Sequence, residues 1–328
     1  MLINNKKIEY NMTFSILVPA YKPQYLVECI DSVMSQTYQD WELIVVNDAS
    51  PYDLDTIMAK YDDMRIRYYK NENGCGAENV VDNWNICLSY ATGKYCICIG
   101  DDDRLLPRCL ELYHNLISSG AKSDVYHIRT EVIDEKSNII DIQEGRPEYE
   151  SVYSMMWHRM CQKRRQYIGD FLFDIEALRN EGGFIKFPYA CFSDDISSYR
   201  AAIKYGIYNI NEVGFQYREN RHTITNTQNL RRTADAVVDA IRWMENLISC
   251  KDNTDDVDIL YCRLLKDFLP KRKTIFLIDC YVRDLKSSNI IESVKYWKDN
   301  REKYGIPKNV FWRLAFGVWR RKMLTIKR

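Results

Sequence analysis

The first hundred residues alternate between short apolar runs and segments in which apolar residues recur every three or four positions. Residues 26–34 show this helical spacing. Four apolar runs are continuous enough to form buried strands, and they lie at residues 14–18, 42–46, 66–69 and 95–99. Strands that alternate with helices at this spacing predict an α/β fold, with a mostly parallel Rossmann-like sheet and helices on both faces. Pro19 is expected to end the first strand.

The second half of the chain adds mixed elements and then becomes helical. Residues 124–129 alternate as a strand does, and residues 131–145 predict a hairpin with a polar turn. A helix is predicted to begin near Ser193. Three units are therefore expected: a first half at residues 1–115, a second half at residues 116–225, and a helical C-terminal extension at residues 226–328.

Composition narrows the class of protein. With 46 basic and 46 acidic residues the formal net charge is zero, which argues against bulk binding of nucleic acid. Several of the 11 cysteines lie inside apolar patterns as small hydrophobes do, which favours a reducing compartment. No apolar stretch approaches the ~20 residues of a membrane span. The apolar part of the N-terminus is too short for a signal peptide, so we expect a cytoplasmic protein.

Three consecutive carboxylates, Asp101, Asp102 and Asp103, follow Gly100 directly after the fourth apolar run. Like charges at the exit of a buried strand repel one another, and a bound cation would offset that cost. Mg²⁺ and Mn²⁺ prefer carboxylate oxygens and often share them with substrate phosphates. One interpretation is therefore a metal–phosphate site. The alternative is a solvated acidic turn that caps a helix beginning near Pro107.

Three loops leave the same carboxyl edge of the predicted sheet, at residues 19–22, 47–50 and 100–103. Ligands of open α/β sheets gather at this edge. The first strand is followed by neither a G-x-G-x-x-G sequence nor a Walker lysine loop, which disfavours a dinucleotide site and a P-loop. The phosphate charge of a nucleotide held here would need another partner, and a metal on the aspartates would supply it.

The last 21 residues, 308–328, carry seven basic residues and no acidic ones. On a helical wheel Arg313, Arg320 and Arg321 cluster away from one broad apolar face. That face consists of Phe311, Trp312, Leu314, Ala315, Phe316, Val318, Trp319 and Met323. The pattern is typical of an interfacial helix drawn to anionic lipid. The alternative is a helix docked on the rest of the protein with its basic residues in water.

Seven short segments between residues 14 and 115 form an ordered set. The segments are ILVPAY (16–21), YLVECIDSV (25–33), QTY (36–38), WELIVVNDAS (41–50), AEN (77–79), ATGKY (91–95) and GDDD (100–103). Each segment is weak alone, but the ordered set is specific, and it resembles family 2 glycosyltransferases of the GT-A fold. The resemblance implies that residues 1–115 bind a nucleotide-sugar and that residues 116–225 bind the acceptor.

The resemblance also implies roles for residues in the first half. Pro19, Ala20 and Tyr21 would line the base pocket of the sugar nucleotide. Asp48 would accept a hydrogen bond from the N–H of the pyrimidine, which suits a group that can only accept. Asn79 would support the nucleotide or the metal loop, or would simply cap a helix.

For the aspartate run, the resemblance makes Asp102 the leading metal ligand, with Mn²⁺ or Mg²⁺ as the cofactor. Asp101 would face the ribose or the waters of the metal, and Asp103 would assist as a further carboxylate. Two positions depart from the commoner family pattern. Gly100 stands where relatives often have the first Asp, and Glu78 stands where many have Arg, which puts a diphosphate contact there in doubt.

In the second half, the resemblance assigns the general base to Asp195, with Asp194 in place of the usual Glu. Acidic residues in the first turn of a helix are also favoured by capping and by the helix dipole, so a purely structural role is the alternative. A Tyr217–Arg218 pair matches the closing segment of the family, and His222 would lie in a loop over the donor.

The resemblance, together with the acidic turn at the sheet edge, implies an inverting, metal-assisted glycosyltransferase. It would move a sugar from a nucleoside-diphosphate sugar, UDP being the expected nucleotide, to a hydroxyl of a glycan or lipid-linked acceptor in surface polysaccharide or glycoconjugate synthesis. Its expected partners include an anionic membrane surface contacted through residues 308–328, but not nucleic acid. The alternatives are a nucleotidyltransferase on a similar sheet and a non-catalytic membrane-bound scaffold of the same fold.

Overall fold

A computed structural model describes residues 13–220, 228–249 and 255–326 of the chain. His222 therefore lies outside the described residues. The strands, numbered in chain order, are β1 Phe14–Ala20, β2 Trp41–Asn47, β3 Ile66–Lys70, β4 Tyr95–Cys98, β5 Arg104–Leu105, β6 Val125–Ile133, β7 Ile139–Ile142, β8 Tyr149–Glu150, β9 Phe171–Asp174 and β10 Ile207–Arg218.

The helices lie between and after these strands. They are α1 Leu26–Met34, α2 Asp55–Met58, α3 Val80–Tyr90, α4 Cys109–Ser118, α5 Val152–Met160, α6 Ile175–Asn180, α7 Ser193–Ala202, α8 Leu230–Ser249, α9 Asp256–Ser287, α10 Ile290–Asp299 and α11 Lys308–Ile326. Short 3-10 helices lie at Ala77–Asn79, Ile168–Asp170 and Pro188–Ala190.

The strands form one mixed sheet whose main path runs β3-β2-β1-β4-β9-β6-β10-β5. Parallel pairing joins β1 to β2 and β4, β2 to β3, and β6 to β10. Each of these parallel pairings is longer than any of the antiparallel pairings made by β5, β7, β8 and β9. The predicted α/β architecture is confirmed, and β1, β2 and β4 all end at one edge of the sheet.

One sequence prediction about β1 is wrong. Pro19 does not end the strand, because Pro19 and Ala20 stay in register with Val46 and Asn47 of β2. Proline lacks only the backbone N–H, and its fixed φ is compatible with extended backbone. The strand therefore continues to the edge at which the predicted ligand site lies.

Apolar layers cover both faces of the sheet because side chains alternate along each strand. Leu17 contributes to one layer, whereas Ile16 and Val18 contribute to the other. Helices α1 and α4 cover the Ile16 face. Helices α3 and α5 to α11 cover the Leu17 face, and this layer includes Trp297 of α10 and Phe311 of α11. The C-terminal extension thus shares a continuous apolar core with the sheet. The boundaries predicted at residues 115 and 225 stay predictions.

Helix α11 presents its apolar residues to two surroundings rather than one. Phe311, Ala315 and Val318 are buried, and the ring of Phe311 stacks on Tyr281 of α9 with centroids 4.9 Å apart. Trp312, Phe316 and Trp319 are 45%, 62% and 45% exposed. The broad apolar face of the sequence analysis is therefore divided between a docked side and an exposed aromatic side. Among the helices described, none combines the length and apolar character needed to cross a bilayer.

Candidate active site

A cavity of about 1030 Å³ opens at the carboxyl edge of β1, β2 and β4. Its wall includes the predicted residues Pro19, Tyr21, Asp48, Asp101, Asp102, Asp103, Asp194 and Asp195. The parallel register brings the first six together, because strands that run side by side end side by side. The other two come from the N-terminus of α7, almost a hundred residues further along the chain.

Asp101 faces the loop after β1. One oxygen, Oδ2, accepts hydrogen bonds from the backbone N–H groups of Tyr21 and Lys22, each at 2.6 Å. Burial, together with the charge of Asp102, nevertheless raises the pKa of Asp101 to about 6. Asp101 therefore fixes the loop of the predicted base pocket, which is a different geometry from a carboxylate pointing freely into the cavity.

Asp103 is buried and holds the turn to β10. Its Oδ2 accepts from the N–H of Gly100 at 3.2 Å, and its Oδ1 accepts from the N–H of Arg218 at 2.9 Å. Burial and the neighbouring Asp102 raise the pKa of Asp103 well above its usual range. The remaining carboxylate, Asp102, accepts at Oδ2 from the Asn220 side chain at 2.7 Å. Its pKa is also raised by burial.

Within the described residues, none of the three aspartates forms an ion pair with a basic side chain. Arg218 is fully buried beside them, but it contacts Asp102 through the backbone carbonyl at 2.8 Å and pairs instead with Glu28 at 2.9 Å. Its guanidinium also lies 4.0 Å from the centroid of the Tyr25 ring. Burial raises the pKa of Asp102, and the nearby positive charges of Lys22 and Arg218 offset only part of that effect.

The donor set of this turn suits a shared cation rather than an all-protein metal cage. The described residues contain no group of three or more His, Cys, Asp or Glu side chains arranged to hold a metal ion. Mg²⁺, however, is usually bound by one or two carboxylates together with water and substrate phosphates. Asp102 fits that role, since Asp101 and Asp103 already accept backbone hydrogen bonds.

Asp48 organises the loop before α3. Its carboxylate accepts from the Asn71 side chain at 3.1 Å and from the backbone N–H groups of Cys75 at 2.8 Å and Gly76 at 3.2 Å. It remains part of the cavity wall. Its own N–H donates to the carbonyl of Ala20 at 2.9 Å.

Two predicted nucleotide contacts lie behind this wall. Ala20 is fully buried and acts through its carbonyl on Asp48. Asn79 occupies the N-cap position of α3, but its side chain donates to the carbonyl of Cys75 at 3.2 Å and makes no capping bond. Neither side chain is part of the cavity wall, so direct nucleotide contacts by Ala20 and Asn79 stay predictions.

The segment before α7 is strained. Tyr189, Ala190 and Phe192 all have positive φ, at 58°, 53° and 67°. Non-glycine residues rarely adopt this conformation, and it persists where the surroundings over-determine it, which is often at functional sites. All three line the cavity immediately before Asp194.

The two aspartates of α7 have different surroundings. Asp195 is buried and receives a bidentate contact from Arg159, with Nε–Oδ1 at 2.8 Å and Nη2–Oδ2 at 3.2 Å. Gln166 donates to the same Oδ1 at 2.9 Å. Asp194 lies at the wall, partly exposed to the cavity, and its pKa is raised by burial and by the charge of Asp195.

Sequence reasoning missed Arg159 and Gln166. They lie in a segment, residues 150–168, that is rich in basic residues but has no clean period. Five residues of α9, among them Arg272, Phe276 and Arg283, also line the cavity, although the sequence analysis assigned no site residue to this helix. The density of basic residues in 150–168 could have pointed to that segment. No local pattern in the sequence of α9 points to the cavity.

Comparison with known proteins places the chain in a family. A family model described as Glycosyl transferase family 2 matches residues 15–185, which is more than half of the chain. The chain belongs to glycosyl transferase family 2. The family predicted from the sequence is thereby confirmed.

Two curated relatives of this glycosyl transferase family 2 chain show how far the similarity extends. An uncharacterized glycosyltransferase of Rickettsia typhi is 33% identical over 135 residues, which are 40% of this chain and 41% of that protein. The UDP-Glc:alpha-D-GlcNAc-diphosphoundecaprenol beta-1,3-glucosyltransferase of Escherichia coli is 30% identical over 113 residues, covering 34% of this chain and 44% of that one. The match therefore spans less than half the length of each relative.

A solved structure extends the fold comparison. TarS 1-349 of S. aureus, crystallised in complex with UDP-GlcNAc, superposes with a TM-score of 0.59 at 15% identity. The match covers 84% of this chain and 74% of TarS 1-349. The GT-A fold predicted from the sequence is confirmed by this likeness, which reaches well beyond the segment matched by the family model.

Proposed function

We propose that this family member is an inverting glycosyltransferase. It would transfer a sugar from a nucleoside-diphosphate sugar to a hydroxyl of a glycan or lipid-linked acceptor during surface polysaccharide or glycoconjugate synthesis. The observation that carries the proposal is a single cavity bounded by Tyr21 and Asp48 at one side, by Asp102, and by the Asp194–Asp195 pair. Donor, leaving group and base would thus meet in one cavity.

The donor is proposed to bind at the edge of β1 and β2. Tyr21 is 44% exposed and Pro19 lies beside it, which supplies an apolar surface for a nucleobase. Asp48 adds an acceptor for a base N–H. UDP is the proposed nucleotide because the names of the E. coli relative and of the TarS complex contain UDP-Glc and UDP-GlcNAc.

Mn²⁺ or Mg²⁺ is the proposed cofactor, with Asp102 as the protein ligand. When bound, the cation would neutralise charge that develops on the departing diphosphate. Asp101 would position the loop of Tyr21 and Lys22, and Asp103 would hold the turn in place through Gly100 and the N–H of Arg218. The order predicted from the sequence, Asp102 ahead of Asp101 and Asp103, suits these contacts.

The pair Asp194–Asp195 is proposed to supply the general base, which takes the proton of the acceptor hydroxyl as that oxygen attacks the anomeric carbon. Arg159 fixes Asp195 through both of its carboxylate oxygens, whereas Asp194 faces the cavity, where burial and the charge of Asp195 raise its pKa. Attack from the face opposite the diphosphate inverts the anomeric centre.

Helix α11 is proposed to contact an anionic membrane surface, at which a lipid-linked acceptor would be met. Its exposed aromatic side carries Trp312 and Trp319, and Arg313 and Arg320 are also exposed. Tryptophan favours the headgroup boundary, and each basic residue near an anionic surface contributes about 1 kcal/mol. Flotation with phosphatidylglycerol vesicles should fall when Trp312, Phe316 and Trp319 are all replaced by Ser. Flotation equal to that of the unaltered protein would exclude this surface.

A donor panel tests the enzyme proposal. The full chain should release nucleoside diphosphate from one sugar nucleotide in the presence of Mn²⁺ or Mg²⁺. Asp102→Asn should lower the rate by about 10²-fold or more, and loss of a positioned base by Asp194→Asn or Asp195→Asn should cost about 10²–10⁴-fold. Asp53→Asn, an exposed aspartate outside the cavity, serves as the matched control.

The same panel separates the alternatives. Release of pyrophosphate would indicate a nucleotidyltransferase instead. Binding of a sugar nucleotide without turnover, across the whole panel and with membranes as the acceptor source, would indicate a non-catalytic scaffold. Turnover that survives Asp102→Asn together with Asp195→Asn would contradict the proposed mechanism.

A further inference from the structure

We propose that Arg272 of α9 forms a phosphate-binding subsite for the acceptor, in the part of the cavity next to Arg159 and the start of α7. The inference rests on the proposed function for the identity of the acceptor but not for the existence of the anion site. It gives the C-terminal extension a part in substrate recognition, beyond its place in the apolar core.

Arg272 is unusual among the arginines of the cavity. In the described part of the chain the other five each pair with a carboxylate, and Arg272 does not. The pairs are Arg159–Asp195, Arg164–Glu150, Arg165–Asp141, Arg218–Glu28 and Arg283–Asp279. Arg272 therefore marks the place where a ligand with negative charge would be held.

Burial makes this lack of a partner costly. Arg272 is only 8% exposed, and its Nε has no hydrogen-bond partner within the described residues. Its guanidinium lies 4.1 Å from the centroid of the Phe276 ring, which satisfies one face but none of the N–H donors. A buried charge without a counter-charge is unfavourable, so an oxyanion that accepts from this guanidinium would be stabilised.

The surroundings place Arg272 on the side of the proposed base. Its pKa is lowered by burial and by the positive charge of Arg159, the residue that pairs with Asp195. Phe276, against which Arg272 lies, makes an edge-to-face contact with Phe192 at 5.3 Å, directly before α7. The donor phosphates, in contrast, belong with Asp102, which contacts Arg218 and Asn220 and, among the described residues, none of those around Arg272. An anion at Arg272 is therefore carried by the acceptor.

The geometry of a guanidinium favours phosphate or diphosphate, because its planar fork matches two oxygens at once. The name of the E. coli relative describes an acceptor sugar linked to a diphosphate. An acceptor of this class would place its phosphates at Arg272 and its sugar hydroxyl towards Asp194. The apolar ring of Phe276 would lie beneath the anion.

Pyrophosphate, in the presence of a chelator, is the probe for the subsite. We expect calorimetric titration to show binding to the full chain that falls about 10- to 100-fold in Arg272→Met, the effect of losing hydrogen bonds to a charged group. Lys271→Met is the matched control, because Lys271 is the adjacent exposed cation of the same helix and lies outside the cavity wall. Its binding should equal that of the unaltered chain.

Thermal unfolding distinguishes a loss of pyrophosphate binding from a failure of the variant to fold. Arg272→Met should unfold at the same temperature as the unaltered chain or a higher one, because it removes an unpaired buried charge. Pyrophosphate should raise the unfolding temperature of the unaltered chain and of Lys271→Met but not that of Arg272→Met. Equal stabilisation of all three proteins would overturn the subsite.

Two further titrations decide the source and chemistry of the anion. UDP affinity, measured with Mn²⁺, should be the same in Arg272→Met and in the unaltered chain. A parallel loss of UDP affinity would assign Arg272 to the donor and overturn the acceptor subsite. If binding of glucuronate depends on Arg272 and binding of pyrophosphate does not, the assignment to phosphate is overturned. None of these measurements requires glycosyl transfer, so they remain informative if the proposed reaction is not found.

Discussion

The two carboxylate groups of the cavity are buried in opposite ways. Asp101, Asp102 and Asp103 accept hydrogen bonds from backbone and amide donors and have no basic side chain in ion-pair contact within the described residues. Asp195 has its own counter-charge, because Arg159 binds both of its oxygens. Within the described residues, the aspartate turn therefore has no direct ion-pair partner, whereas Asp195 has one. The charge of Asp195 in turn raises the pKa of its neighbour Asp194.

The physical cost of burial explains why the difference matters. Desolvation favours the neutral form of a carboxyl group, and the pKa values of all three aspartates in the turn are raised. An added cation would reverse that shift and would keep the carboxylates ionised. At α7 the counter-charge of Asp195 is Arg159 of α5, so a metal ion there would be repelled by Arg159. Four predictions test this contrast.

The largest effect on stability is expected at the ion pair between Arg159 and Asp195. Arg159→Ala leaves Asp195 buried without its counter-charge, and breaking a buried pair in this way costs about 3–5 kcal/mol of the free energy of unfolding. Urea unfolding monitored by circular dichroism measures the change. A double variant, Arg159→Met with Asp195→Leu, should recover most of the loss. A double variant as unstable as Arg159→Ala would show that packing, rather than the unpaired charge, is responsible.

At the aspartate turn the expected effect depends on the ligand. Mn²⁺ with UDP should stabilise the chain by about 2.7 kcal/mol when the ligand is present at about a hundred times its Kd. Asp102→Asn should abolish the part that requires Mn²⁺, whereas Asp53→Asn should leave it unchanged. Thermal unfolding with and without Mn²⁺ is the measurement. Mn²⁺-dependent stabilisation that persists in Asp102→Asn would remove Asp102 as the ligand.

The pH dependence of stability reports on Asp194. Because its pKa is raised in the folded state, the folded protein holds a proton that the unfolded chain releases above pH ~4. Its contribution to stability is therefore complete at low pH and is lost as the pH rises through the folded-state pKa. Asp194→Asn should remove this slope and should stabilise the chain by ~1–3 kcal/mol at pH 8. Unfolding curves between pH 5 and 9 that fall equally in both proteins would contradict the assignment.

The smallest effect is expected at Gly100. A Cβ there would meet Asp102 Oδ1 and Asp103 Oδ2, each at 2.9 Å, so the two carboxylate ends would have to shift. We expect Gly100→Ala to lower stability by on the order of 1 kcal/mol, and affinity for Mn²⁺ with UDP by several-fold. Calorimetry measures the affinity. An unchanged affinity would show that the position of Asp102 does not set cation binding.

Much of the fold could be predicted because the signals are local. Buried parallel strands appear as apolar runs, and amphipathic helices repeat every 3.6 residues, so β1 to β4 and α1 follow from neighbouring residues, whereas the short strand β5 was not predicted. The aspartate turn was found for the same reason, since it directly follows a strand. The extent of β1 was misjudged because the pairing of Pro19 with β2 depends on its neighbour and not on its own propensity.

The candidate site was only partly accessible to such reasoning. Arg159 and Asp195 are 36 residues apart in sequence, and Arg272 is more than a hundred residues beyond Arg159. No period or spacing encodes contacts of this kind. The division of α11 into a docked and an exposed side likewise depends on where Tyr281 presents its ring.

The sequence by itself determined the family, the parallel half of the sheet, and a cluster of carboxylates at its edge, because these are properties of short stretches and their order. Only the tertiary structure decided which carboxylates already have a counter-charge. It also decided that the C-terminal extension reaches the cavity through Arg272. The physical reason is that charge balance in a buried site depends on which distant segments meet there, and burial makes each unmatched charge costly.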